Sequence, residues 1–94
     1  MFHRLCEYIK IYVSVESECY EGFHLVPGDI PGMGQLEGGG GVQTDNLGCA
    51  RLCQHNEDCC SYEYSLKEKL CNLNKDCKPS AEKHLDWNFC VKGD

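Results

Sequence analysis

Nine of the 94 residues are cysteine, and that density limits what the chain can fold into more than any other feature does. A short chain that carries close to one cysteine in ten reads as a disulfide scaffold. Its length fits one domain with one modest core, worth only a few kcal/mol on its own. Covalent cross-links supply the rest. Such cross-links persist in oxidising compartments, so a secreted protein, or one on the extracellular face of the cell surface, is expected.

The formal net charge is -6. A chain this acidic is poorly suited to nucleic acid, because affinity for phosphates comes from Lys and Arg, and it is poorly suited to anionic lipid. A basic protein partner or a neutral glycan remains compatible. No stretch is long and apolar enough to cross a membrane, so no membrane insertion is expected. The first residues, MFHRLCEYIKIYVSVESE, make a poor signal peptide: Glu7 and Lys10 interrupt the apolar run and no clean cleavage site follows. The expectation is a domain of a longer secreted protein, or a chain whose true start is missing. Asn46, Asn56, Asn72, Asn74 and Asn88 all lack Ser or Thr two residues on, so ordinary N-glycosylation is not expected.

Residues 1–18 read as an extension or linker ahead of a compact domain at 19–92. Within the extension, Ile9, Ile11, Val13 and Val15 fall on one face of a strand pattern spanning Tyr8 to Val15. Cys19 opens the compact part, and Tyr20 to Val26 reads as a strand. Pro27 to Gly41 holds two prolines and a run of four glycines, which forbid a regular element and demand turns. This longest loop reads either as a ligand-binding segment or as a flexible crossover. Thr44, Asp45 or Asn46 can cap a helix that runs to about His55, with Cys49, Leu52 and Cys53 on one face. Cys59 to Ser65 reads as a strand with Cys60, Tyr62 and Tyr64 on one face and Cys59, Ser61 and Glu63 on the other. A turn at Leu66 to Lys69 and a strand at Leu70 to Asn74 complete a hairpin. Cys77 to Leu85 is a polar loop, and Trp87 to Val91 a closing strand. The order predicts an α+β domain, one helix packed on an antiparallel sheet.

Cys6 lies outside the compact region. The other eight cysteines allow 105 pairings, so the count decides nothing. Geometry narrows the field. Neighbours Cys59 and Cys60 point to opposite faces of a strand, so they are poor partners for each other. Cys53 and Cys59 flank a short link between helix and strand, where a local bridge is easy. Cys49, one helical turn earlier, reaches toward the strand that holds Cys71. Cys19 and Cys90 bracket the domain. Cys60 and Cys77 remain and are paired by elimination.

Cys49-x3-Cys53-x5-Cys59, then Tyr62-x-Tyr64, then Cys71 with Leu73, then Cys90, resembles the PAN/apple domain family. CCSYEYSLKEKLCNLN carries the resemblance most specifically, and it extends over about residues 19–92. The resemblance implies a helix cradled by a curved antiparallel sheet. Its helix-to-hairpin bridges imply Cys49–Cys71 and Cys53–Cys59, and its apple branch implies Cys19–Cys90. Cys60 and Cys77 depart from the six-cysteine pattern.

Zinc is the competing use of Cys49, Cys53, His55, Cys59 and Cys60, but their spacing lacks paired CxxC knuckles and the oxidising context favours disulfides. Asp29, Glu37 and Asp45 do not have EF-hand spacing. Gly38 to Gly41 lacks the Lys and Ser/Thr of a phosphate loop. His3, His24, His55 and His84 are scattered through polar surroundings, and Glu57 with Asp58 sits in a turn. No nucleophile, base and orienter come together in the pattern. The chain is therefore expected not to be an enzyme and to need no cofactor or metal. It reads as an extracellular recognition or adhesion module for a protein or carbohydrate ligand. The alternative is a structural spacer or multimerisation domain in a mosaic protein, with an inter-chain disulfide through Cys6. Candidate ligand-binding residues are Asp29, Gln35 and Glu37 in the long loop, and Trp87. Tyr62 and Tyr64 read more readily as core, because aromatic side chains serve both packing and binding surfaces.

Overall fold

The computed structural model describes residues 19–83 and 86–93. Cys6 and the strand pattern at Tyr8 to Val15 lie outside the described residues, as does the boundary expected at residue 18.

Five strands and one helix follow in the order β1 (Phe23–Val26), β2 (Val42–Gln43), α1 (Asn46–Gln54), β3 (Ser61–Ser65), β4 (Leu70–Asn74) and β5 (Trp87–Lys92). They build one antiparallel sheet, ordered β1-β5-β3-β4-β2. The α+β class, with one helix on an antiparallel sheet, is the expected one. Four boundaries differ. Tyr20 to Gly22 is a turn, not strand: Gly22 has φ 93, and Phe23 N–H closes on Tyr20 C=O at 3.0 Å. Cys59 and Cys60 precede β3 instead of opening it, because the Cys59 N–H turns back to Asn56 C=O. β5 runs one residue further, to Lys92. β2 has no counterpart in the sequence reading; two residues are too short to show a period.

The helix starts where its cap dictates. Asp45 is extended, and its Oδ1 accepts from Gly48 N–H at 2.8 Å, satisfying a donor that has no partner within the helix. The side chains that α1 buries are Cys49, Ala50 and Cys53. Leu52 does not join them: it is 42% exposed. The cysteines fix the inward face of α1, and the small Ala50 lets the helix approach closely.

Residues alternate across a strand, and here both faces are covered. One face carries Tyr62, Tyr64, Cys71, Leu73 and Cys90 against α1, with Phe23 packed at its edge. Phe23 and Tyr62 meet edge to face, with ring centroids 4.8 Å apart. The opposite face carries Ser61, Glu63, Ser65, Asn72 and Asn74, all buried, beside a second apolar cluster of Ile30, Phe89 and Val91. Its cover comes from the first part of the long Pro27–Gly41 segment, where Ile30 joins that cluster.

That segment is stitched down along its length. Asp29 forms a bridge with Ala81, with N–H to C=O bonds in both directions at 3.0 and 2.9 Å. Asn72 Nδ2 donates to Gly32 C=O at 3.4 Å, and its Oδ1 accepts from Gly41 N–H at 2.6 Å. Gln35 and Leu36 N–H both donate to Leu73 C=O, while Leu73 N–H donates to Gly39 C=O at 2.7 Å. Glycine is required at position 28. Its φ is 140, and a Cβ there would run into the Pro79 ring. The sequence reading left a flexible crossover open; the segment is instead tied to the sheet, with Ile30 on the second face and Leu36 packed on the α1 side.

All eight described cysteines pair within the chain: Cys19–Cys90, Cys49–Cys71, Cys53–Cys59 and Cys60–Cys77, with Cα–Cα distances of 5.5, 5.5, 5.2 and 5.1 Å, inside the usual range for such bridges. Cys49–Cys71 fastens α1 to β4, and Cys19–Cys90 fastens the start of the domain to β5. A set of disulfides like this in a small domain is typical of extracellular proteins.

Candidate functional site

The chemistry available at the surface is sparse. Among the described residues no group of three or more His, Cys, Asp or Glu side chains is placed to hold a metal ion. His24 and His55 are exposed and far apart in the chain. No helix among them is long and apolar enough to cross a membrane. Among the described residues, two open hollows and one buried polar cluster stand out.

The first hollow, of about 500 Å³, lies between the long loop and the link from α1 to β3. Gln35, Leu36 and Glu37 line one side; Asn56, Asp58 and Lys75 line the other. Its walls are held locally. The Gln35 carboxamide donates to Asp76 Oδ2 at 2.9 Å and accepts from Asp76 N–H at 2.9 Å. Asn56 Oδ1 accepts from Asp58 N–H at 2.9 Å.

The second hollow, of about 450 Å³, lies where the first turn of α1 meets the β3–β4 turn. Tyr20, Leu47, Tyr64 and Leu66 supply aromatic and apolar surface, and Asp45 and Lys69 supply opposite charges. Its base is rigid. Tyr62, fully buried beneath, donates its hydroxyl to Asn46 Oδ1 and accepts from Tyr20 N–H, both at 3.0 Å. Burial pushes the Tyr62 hydroxyl up to about 12, against the smaller opposite effect of the Tyr20 N–H; it stays a donor at any physiological pH. Burial, and then the Asp45 carboxylate, also raise the Tyr64 hydroxyl. Lys69 adopts the left-handed conformation, φ 55, which closes the turn after β3 and sets its side chain at the rim. Cys49–Cys71 ties α1 to β4 directly behind the hollow, and Tyr64 stands opposite Cys71 in the register.

Comparison with family models, with curated proteins and with solved structures finds no match for this chain.

The four candidates named from sequence do not converge. Gln35 and Glu37 both line the first hollow. Asp29 is half-buried on the other side of the loop, where its carboxyl meets Glu63. Trp87 is half-buried at the start of β5 opposite Ser65, and its C=O accepts from Lys83 Nζ at 3.3 Å. Tyr62 and Tyr64 are core. The sequence reading missed the second hollow. Its residues come from the turn before β1, the start of α1 and the β3–β4 turn. Only the cap signal at Asp45 and the turn at Leu66 to Lys69 hinted that these ends would meet.

Proposed function

We propose that the chain is a non-catalytic extracellular recognition module of the PAN/apple type, which binds a protein or carbohydrate ligand through the hollow between α1 and the β3–β4 turn. The observation that carries this reading is the make-up of that hollow. A concave surface with aromatic and aliphatic walls and a few placed polar groups is the usual form of a small binding site. Tyr20, Leu47 and Leu66 offer area to the apolar face of a sugar ring or to one side chain of a protein. Asp45 and Lys69 offer an acceptor and a donor for the polar groups around it. The disulfide behind it holds the walls in place before a ligand arrives, which lowers the entropic cost of binding. The bridges from α1 to β4 and to the link before β3, with the bridge between the ends, are the pattern the PAN/apple resemblance implies, and they support the family reading.

The test uses oxidised protein on a glycan array and in pull-downs from extracellular fluid. Leu66 is exposed, and Lys69 pays for a left-handed backbone that glycine adopts freely, so Leu66→Asp and Lys69→Gly leave folding intact. Each is expected to weaken binding about tenfold or more, the equivalent of ~1.4 kcal/mol. Wild-type affinity in both variants would remove the hollow as the site. Silence of the wild type in both screens would sink the recognition reading.

A further inference from the structure

Glu63 is the one acidic side chain of the sheet that faces neither solvent nor a cation. It sits in the middle of the central strand, on the face away from α1, and is 1% exposed. Its Oε2 accepts from Ile30 N–H at 2.9 Å, and its Oε1 accepts from Asn74 Nδ2 at 3.4 Å. The Asp29 carboxyl lies beside it and acts on it as a like charge. A carboxyl buried this deeply beside a second carboxyl is accommodated by holding a proton, because its charged form has neither water nor a counter-charge. The cluster is rich in acceptors in another respect: Asn74 Oδ1 is buried and has no partner.

We propose that the buried Glu63 carboxyl holds a proton against the Asp29 carboxyl, and that this proton latches the root of the Pro27–Gly41 segment onto the sheet, so that its loss releases the segment and uncovers the apolar cluster beneath.

The surroundings leave the pair without another source of compensation. From the long segment come Asp29 and the Ile30 N–H. From β4 come Asn74 and, directly opposite in the register, Asn72. From β5 comes Phe89, opposite on the other side, in a run of Trp87 to Val91 that carries no ionisable side chain apart from the disulfide-bonded Cys90. Behind Asp29, residues 80 and 81 hold its backbone, while Lys78, Glu82 and Lys83 are exposed. What acts on the Glu63 carboxyl is burial first, then the Asp29 carboxyl, with smaller opposing effects from Ile30 N–H and Asn74; together they push it up to about 8. Two like charges in contact in a dry site cannot both be kept.

The sign of the linkage follows. Closed, Glu63 holds its proton to about pH 8; open to solvent, it would ionise in the ordinary carboxylate range. The closed form binds more protons across that window, so it loses ground as pH rises through it, by up to about tenfold per pH unit, and no further above it. Opening would bare Ile30, Phe89 and Val91. It would also loosen one wall of the first hollow, since Gln35 and Glu37 sit on the same segment.

Amide hydrogen exchange on the whole oxidised chain tests this, corrected for intrinsic rates, with the Ile30 amide as the reporter and the Tyr64 amide in β3 as the reference. Ile30 is expected to be less protected than Tyr64 at every pH, and its protection to fall about tenfold or more between about pH 5 and 8. Glu63→Gln replaces the protonated acid with a neutral group that still accepts from Ile30 N–H, so its profile is expected to be flat. Asp29→Asn removes the like charge and is expected to reduce the slope; it serves where Glu63→Gln does not fold. A flat wild-type profile, an unchanged slope in either variant, or Ile30 and Tyr64 exchanging together would overturn the latch.

Discussion

Replacing Cys19 and Cys90 together with Ala is expected to unfold most of the domain at about 37 °C. The bridge spans 71 residues, and closing a loop of that length is worth about 4 kcal/mol in the chain-entropy model. A domain of this size has only a few kcal/mol from its core. The bridge also fastens the start of the domain to the sheet beside its edge strand. β1 is an edge strand of four residues, paired only to β5, and Cys19 precedes it. Loss of the bridge frees the chain ahead of β1 from β5. The other bridges rank below it by span. Cys49–Cys71 and Cys60–Cys77, at separations of 22 and 17, are worth about 3 kcal/mol each, and Cys53–Cys59, at 6, about 2. Urea unfolding of the four double-Ala variants, followed by circular dichroism, checks the order. Equal losses in all four would show that loop closure is not the source of the stability.

Phe89→Ala is expected to cost about 3–5 kcal/mol, the usual range for truncating a buried aromatic side chain. Phe89 is buried in the cluster it forms with Ile30 and Val91, with Val26 packed alongside. This cluster lies under a segment of glycine, proline and turns, and the size of the effect reports whether that segment is a packed layer. A layer fixed by the Asp29–Ala81 bridge and by the bonds to Leu73 and Asn72 cannot collapse into the space the ring leaves, so the cavity cost is felt in full. A loss within about 0.5 kcal/mol, typical of surface sites, would mean that the segment is loose and the second face of the sheet half open.

That second face is where the sequence ran out. The first face was legible because the cysteines wrote it. Cys49 and Cys53 sit one helical turn apart, Tyr62 and Tyr64 alternate with polar residues, and the Leu66 to Lys69 turn sets the hairpin that brings Cys71 opposite Tyr64. Leu70 to Asn74 emerged as a strand with the bounds read from its pattern. The pattern Ser61, Glu63, Ser65 looks the same whether a face meets water or a polar layer of protein. Nothing local to β3 records that a segment some thirty residues earlier lies over it. Glu63 was therefore invisible as a buried acid, and so was the placement of Asp29, a ligand-binding candidate, beside it. Leu52 failed for a related reason: helical spacing places it near the cysteine face, but α1 buries only the narrow stripe that the disulfides and Ala50 define. The second hollow was hidden because its walls come from the turn before β1, the start of α1 and the β3–β4 turn, which only the finished fold brings together.

The account rests on which cysteines are joined, since the pairing places α1 on one face of the sheet and leaves the other to the long segment. Mass spectrometry of unreduced peptides, fragmented to separate adjacent Cys59 and Cys60, tests this most directly. The expected links are Cys19–Cys90, Cys49–Cys71, Cys53–Cys59 and Cys60–Cys77. A link from Cys53 to Cys60, from Cys59 to Cys77, or from either helix cysteine to Cys19 would contradict the account.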